Sequence, residues 1–142
     1  MIFLDANVWM YAAGARHRHK KASVALLEAI ARGDVAATTS TEVLQEILHR
    51  YRALGRWEDG RRVYDLARKI VPNVVPITVE MTDRARQLLD VYGGLMARDA
   101  LHAATCELIG ATDLCSYDRD FDVIDGLQRI EPAAAVAREG SS

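Results

Sequence analysis

The chain reads as an α/β protein, a three-layer α/β/α sandwich around a mostly parallel sheet. Three observations predict this. Short apolar runs such as Ile2-Phe3-Leu4 alternate with longer stretches of helical periodicity. Strands that alternate with helices in this way imply parallel pairing through right-handed crossovers. No internal repeat, low-complexity tract or linker divides the 142 residues, so a single domain is expected.

The elements follow in order. Residues 2–5 read as a strand, and a helix is expected from Asn7, a suitable N-cap, to about Gly14. Ala22, Ala25, Leu26, Ala29 and Ile30 recur at helical spacing before Gly33. "VAATTS" is a second strand and turn, and "TEVLQEILHRYRALG" an amphipathic helix ending at Gly55. "WEDGRRVYDLARKIV" is a helix closed by Pro72, "VVPIT" a brief strand, and "VEMTDRARQLLDVYGG" a helix stopped by two glycines. "ARDALHAATCELIGA" is a further helix, "DLCSYD" a strand, "DRDFD" an acidic turn and "LQRIEP" a last strand. Residues 1–131 form the expected domain, and 132–142, with few apolar anchors, a flexible tail.

Charge is uneven. Residues 1–72 hold 12 Lys and Arg against 8 Asp and Glu, whereas residues 73–142 hold 6 against 12. The net charge of −2 excludes a general polycation, and the asymmetry suits an acidic site beside a basic surface. Cys106 and Cys115 lie among apolar residues and read as small core side chains. No signal peptide and no apolar run of membrane-spanning length is visible, so a cytoplasmic protein with no membrane partner is expected.

The chemistry lies in the acids. Asp5 directly follows an apolar strand, where an unpaired carboxylate costs several kcal/mol to desolvate. Open α/β sheets place their sites beyond the carboxyl ends of the strands. Asp5, Glu42, Asp99 and Asp118, with Asp120 and Asp122 close behind, come to that edge from four separate segments. No Lys or Arg lies within ten residues of Asp5, so a basic side chain is not its expected partner. Carboxylates crowded in one cleft repel, and a hard divalent cation such as Mg²⁺ relieves them. Such an ion can activate water and steady the leaving oxygen of a phosphodiester.

Structural roles compete at several positions. Glu42 follows Thr39 at capping-box spacing, and Asp99 can compensate a helix dipole. His102 reads as a packed or hydrogen-bonded histidine, "RHRHKK" at 16–21 as a solvated segment with RNA contact as the sharper option, and Trp9 and Tyr11 as core aromatics.

In "MIFLDANVWMYA", "TSTEVLQEILHRY", "LMARDALHAAT" and "LCSYDRDFD", taken in this order, the chain resembles the PIN-domain ribonucleases, specifically the VapC toxins of toxin–antitoxin pairs. The similarity spans residues 1 to about 131; Ala6 stands where family members commonly carry Thr. It implies a PIN-like fold and a Mg²⁺-dependent endoribonuclease, with Mn²⁺ able to substitute, acting on single-stranded or structured RNA. By it, Asp5 and Asp99 are the principal metal ligands, and Glu42 and Asp118 complete a catalytic quartet in which Asp118 also meets the metal. Asn7, Ser40, Ser116 and Asp122 are auxiliary. It further implies a homodimer and a small antitoxin that inserts an arginine among the acids. Three other readings compete. A haloacid dehalogenase-type phosphatase needs an acid where Asn7 stands. A receiver-like module needs a late lysine, and the lysines are Lys20, Lys21 and Lys69. A catalytically silent PIN-like RNA-binding or interaction protein would not need all four acids.

Overall fold

The computed structural model describes residues 1–140, with side chains through Arg138. Four short parallel strands form one sheet in the order β2-β1-β3-β4: β1 Ile2–Leu4, β2 Ala37–Thr38, β3 Asp113–Cys115 and β4 Arg129–Ile130. Ile2 pairs with Ala37 on one side and Asp113 on the other, so β1 is interior. Its side chains are buried on both faces, which is why it reads as a continuous apolar run rather than an alternating one.

Among the described residues, seven helices flank the sheet: α1 Ala6–Ala13, α2 Lys20–Ala31, α3 Thr41–Ala53, α4 Trp57–Ile70, α5 Val79–Val91, α6 Ala97–Ile109 and α7 Pro132–Gly140. The three-layer α/β reading therefore holds. The core runs through Phe3, Leu4, Val8, Trp9, Leu26, Val43, Ile47, Val63, Leu114 and Phe121. Cys106 and Cys115 are buried free thiols within it, and burial pushes each pKa up to about 12, so neither is a nucleophile near neutral pH. Gly60 lets α4 close on α3, because a Cβ there would stand 2.6 Å from that of Tyr51. Gly110, at φ 70°, ends α6 in the left-handed conformation.

Four local expectations are corrected. The N-cap of α1 is Asp5, not Asn7: its Oδ1 accepts from the Ala6 N–H at 2.7 Å. "VVPIT" forms no strand; Val75 makes one bridge to Ser40, and Pro76 cannot donate to a ladder. The Thr39–Glu42 capping box does not form. Ser40 caps α3 by accepting from the Val43 N–H, and the Thr39 hydroxyl donates instead to the Leu4 carbonyl at 2.9 Å. The C-terminal segment, expected as a flexible tail, is helix α7 over Pro132–Gly140. Its Ala135 is buried, and its Arg138 donates at 2.6 Å to buried Asp113 at the start of β3. Residues 141–142 of that expectation lie outside the described residues. Among the described residues no helix is long and apolar enough to cross a membrane.

Candidate active site

The carboxyl ends of β1 and β3 lie side by side, and their chain continuations build the site. After Leu4, the chain turns at Asp5 into α1. After Cys115, it turns through Ser116, Tyr117 and Asp118 into a 3₁₀ turn, Arg119–Val123. Helices α3 and α6 close the cleft above this edge. Its cavity of about 310 Å³ is lined by Asp5, Asn7, Met10, Tyr11, Glu46, Arg50, Arg98, Asp99 and Asp118.

One hydroxyl organises the floor. Ser116 is fully buried and donates to Asp5 Oδ2 at 2.7 Å. The same Oγ accepts from Asn7 Nδ2 at 3.0 Å and from the Asp118 N–H at 3.0 Å. Asn7 Oδ1 accepts from the Tyr117 N–H at 3.3 Å. Ser116 and Asn7 thus tie the β1 and β3 ends together and fix the Asp5 carboxylate between them.

Asp5 has neighbours of two kinds. Ser116 and the Ala6 N–H supply neutral donors, and His102 on α6 stands beside them as a basic neighbour, where the sequence pointed to no basic partner. His102 Nε2 lies 3.6 Å from Asp5 Oδ1 and 3.5 Å from Glu46 Oε1, charge-contact distances too long for good hydrogen bonds. Burial alone would lower the His102 pKa, but the Glu46, Asp5 and Asp99 carboxylates outweigh it and raise it above its ordinary value. The surrounding carboxylates thus favour the protonated ring over the neutral one. Burial raises the Asp5 pKa; His102 opposes this, the Glu46 charge adds to it, and the Ser116 and Ala6 donors oppose it again.

Asp99 sits in the first turn of α6, as the sequence indicated. Its carboxyl is pushed up to about 6, first by burial and then by Asp118 and Asp5. Crowding thus overrides the helix dipole, which would favour the charged form. One carboxylate oxygen from each of Asp99, Asp118 and Asp120 lies within 4.8 Å of the other two. Asp5, Glu46 and His102 form a second such group. The all-oxygen set, partly open to solvent, fits a hard divalent cation. The second set is more deeply buried and includes an imidazole, a donor that a hard cation does not need, so it fits a supporting role better than a ligand one.

Asp5, Asn7, Asp99 and Asp118 are brought together as the sequence suggested, with Ser116 beneath them. Ser40 lies at the N-terminus of α3, outside the lining residues, and serves as its cap. Glu42 is not among the lining residues; Glu46, one turn further on, is. The cleft meets the second and third turns of α3, at Glu46 and Arg50, and not its first turn. Asp122 is engaged by Arg129, with Nε–Oδ1 at 2.8 Å, while Asp120 joins the cluster. Arg98 was also missed: it faces Glu46 at 3.2 Å and adds a second guanidinium to the wall. The spacing of Glu46 and Arg50, i and i+4 beside the buried face of α3, was the available signal.

Sheet and cleft define a class: an α/β domain that gathers carboxylates from several elements at one sheet edge. The family model described as "PIN domain" matches residues 2–127. Ribonuclease VapC13 of Mycobacterium tuberculosis is 42% identical over 130 residues, covering 92% of this chain and 99% of that protein. The crystal structure of VapC20 from Mycobacterium tuberculosis, titled as a sarcin-ricin loop cleaving toxin, superposes with a TM-score of 0.73 at 18% identity, covering 87% of this chain and 94% of that one. VapBC2 from Rickettsia felis, bound to a promoter DNA fragment, gives a TM-score of 0.72 at 20% identity over 92% and 98% of the two chains. The chain belongs to the PIN domain family and, within it, to the VapC ribonucleases.

Proposed function

We propose that the chain is a Mg²⁺-dependent endoribonuclease, the toxin of a toxin–antitoxin pair, with Asp5, Asp99 and Asp118 as its principal acids and Glu46 completing the set. The observation that supports this best is the cleft itself, in which clustered carboxylates face two guanidinium groups, Arg50 and Arg98. Acids alone would repel an RNA backbone; with a cation and two arginines, the same cleft accepts a phosphodiester.

Asp99 and Asp118, with Asp120 at the rim, would hold the ion, and Asp5 would stand behind them. A divalent cation bound there supplies the positive charge that polarises a phosphate oxygen and favours an ionised water nucleophile. The protein's own share is positioning. Ser116 and Asn7 fix Asp5; His102 stands between Asp5 and Glu46 at 3.6 and 3.5 Å; Arg50 and Arg98 would hold phosphate oxygens through N–H donors. Mn²⁺ offers the same oxygen preference and should substitute.

The partner reading follows from the charge. An acidic cleft attracts a guanidinium, so a small antitoxin inserting an arginine would block it. The solved structures of this fold include a toxin–antitoxin complex from Klebsiella pneumoniae, which supports such a partner. We place the protein in the cytoplasm as a homodimer.

The test is cleavage of total RNA by purified protein, with 5′-end sequencing. Discrete cuts in Mg²⁺ that vanish in EDTA and in Asp5→Asn are expected. Equal cutting in EDTA would remove the metal mechanism, and no cutting under any condition would leave the silent RNA-binding reading in its place.

A further inference from the structure

Beside the acidic cleft lies an array of rings that the catalytic reading leaves unused. Tyr11 on α1 stacks on His17 with centroids 4.5 Å apart and planes 28° from parallel. His19 stacks on Tyr117 at 3.8 Å and 18°. The two pairs meet edge-on, Tyr11 with Tyr117 at 87° and Tyr11 with His19 at 76°. Tyr11 is no core aromatic: it is half-buried and lines the cleft, whereas Trp9 is fully buried.

The array is ordered by its own bonds. The Tyr117 hydroxyl lies 2.9 Å from Ser23 Oγ and 3.1 Å from the His19 carbonyl. The His19 N–H donates to His17 Nδ1 at 3.1 Å, and Lys20 Nζ donates to the Gly14 carbonyl at 2.6 Å, pinning the loop between α1 and α2. His17 is exposed, with Tyr11 stacked on one face. Around the rings stand Arg16, Arg18 and Lys21, exposed, and among the described residues none of the three pairs with an acid. Tyr117 immediately precedes Asp118, so the array begins one residue from the carboxylate cluster.

We infer that Tyr11, His17, His19 and Tyr117 form a stacking subsite for an unpaired RNA base beside the scissile phosphate, with Arg16, Arg18 and Lys21 holding the adjoining backbone. This rests on the ribonuclease reading and extends it to substrate choice. Two features favour RNA over a protein partner here. Flat rings suit nucleobases, every one of which has a π-face. Cations interleaved with rings suit a single strand, whose phosphates and unstacked bases alternate. The subsite would select looped or single-stranded RNA, because a base inside a duplex cannot reach a ring.

The test uses two 12-nucleotide ligands, a mixed-sequence single-stranded RNA and a fully abasic ribose-phosphate strand of equal length. Binding is read by fluorescence anisotropy in Ca²⁺ to limit cleavage, with circular dichroism melts for every variant. Tyr11→Leu and His17→Ala should each weaken RNA binding roughly tenfold and leave abasic binding unchanged, while Tyr11→Phe binds as wild type. Arg16→Ala with Arg18→Ala should weaken both ligands and reduce the salt slope by about 1 per charge removed. Equal RNA affinity for wild type, Tyr11→Leu and His17→Ala would overturn the subsite while leaving cleavage in Mg²⁺ intact. So would variants that lose only antitoxin binding, which would give the surface to a protein. If neither strand binds and no RNA is cut, the ribonuclease reading fails with it.

Discussion

Removing one hydroxyl, in Ser116→Ala, should disturb three site residues at once. Ser116 Oγ makes the 2.7 Å bond to Asp5 Oδ2 and accepts from Asn7 Nδ2 and the Asp118 N–H. A hydrogen bond to a charged group contributes about 1.5–3 kcal/mol, and a buried group left unmatched costs about 1–3 kcal/mol. Water in the open part of the cleft can replace the acceptor for the Asp118 N–H, so that loss is small. The Asp5 carboxylate, buried at 6% exposure, cannot be rescued in the same way. The expected net cost is about 2–3 kcal/mol, which for a domain of this size lowers Tm by roughly 6–10 °C. The direction in pH is also fixed. The Ser116 donor lowers the Asp5 pKa against burial, so its loss raises that pKa further. The acidic limb of the cleavage profile should therefore move to higher pH, and divalent-ion affinity should fall about 10–100-fold. Melts and pH–rate profiles of wild type and Ser116→Ala check both outcomes. A Tm within a degree of wild type together with an unmoved profile would refute the role given to this hydroxyl.

Three further outcomes are expected. Glu46→Gln should lose about 10–100-fold in activity, because Glu46 faces both His102 and Arg98, while Glu42→Gln should stay within twofold of wild type; parallel cleavage rates decide between the two positions. Asp99 has a folded pKa of about 6 against 3.8 for the ordinary group, so its contribution to stability is present at low pH and lost as pH rises through about 6. The metal-free Tm of wild type should accordingly fall relative to Asp99→Asn between pH 4 and 6.5, and added Mg²⁺ should restore it, as read by melts with and without the ion. Arg138→Ala should leave Asp113 buried without its 2.6 Å partner and cost about 1–2 kcal/mol, moderated because Arg138 is itself half-exposed; urea unfolding measures this, and cleavage should be unaffected.

Asp5, Asp99 and Asp118 were legible because position alone exposes them: two follow apolar strands and one opens a helix, and parallel sheets send such positions to one edge. Glu46 was hidden by helix phase. Thr39 and Glu42 satisfy the capping-box spacing, but Thr39 is drawn to the Leu4 carbonyl and Ser40 takes the cap, so the spacing misled. The raised pKa of His102 could not be read from its apolar helical neighbours, since it depends on burial weighed against carboxylates from three separate segments. Helix α7 was missed for a similar reason. "AAAVAREG" has little apolar surface of its own, and its anchor is Asp113, 25 residues earlier in the chain. Tyr11 read as core because its spacing fits the buried face of α1; the rings that hold it come from a polar loop whose fold the local pattern does not specify.

The central claim, that these carboxylates hold the ion that enables RNA cleavage, is tested most directly by measuring Mn²⁺ binding and cleavage on the same samples. Electron paramagnetic resonance counts bound Mn²⁺ while a labelled RNA reports the rate. For wild type, rate should rise in step with Mn²⁺ occupancy; Asp99→Asn, folded by circular dichroism, should lose both together. Full-rate cleavage with no Mn²⁺ bound, or wild-type Mn²⁺ binding by Asp99→Asn, would contradict it.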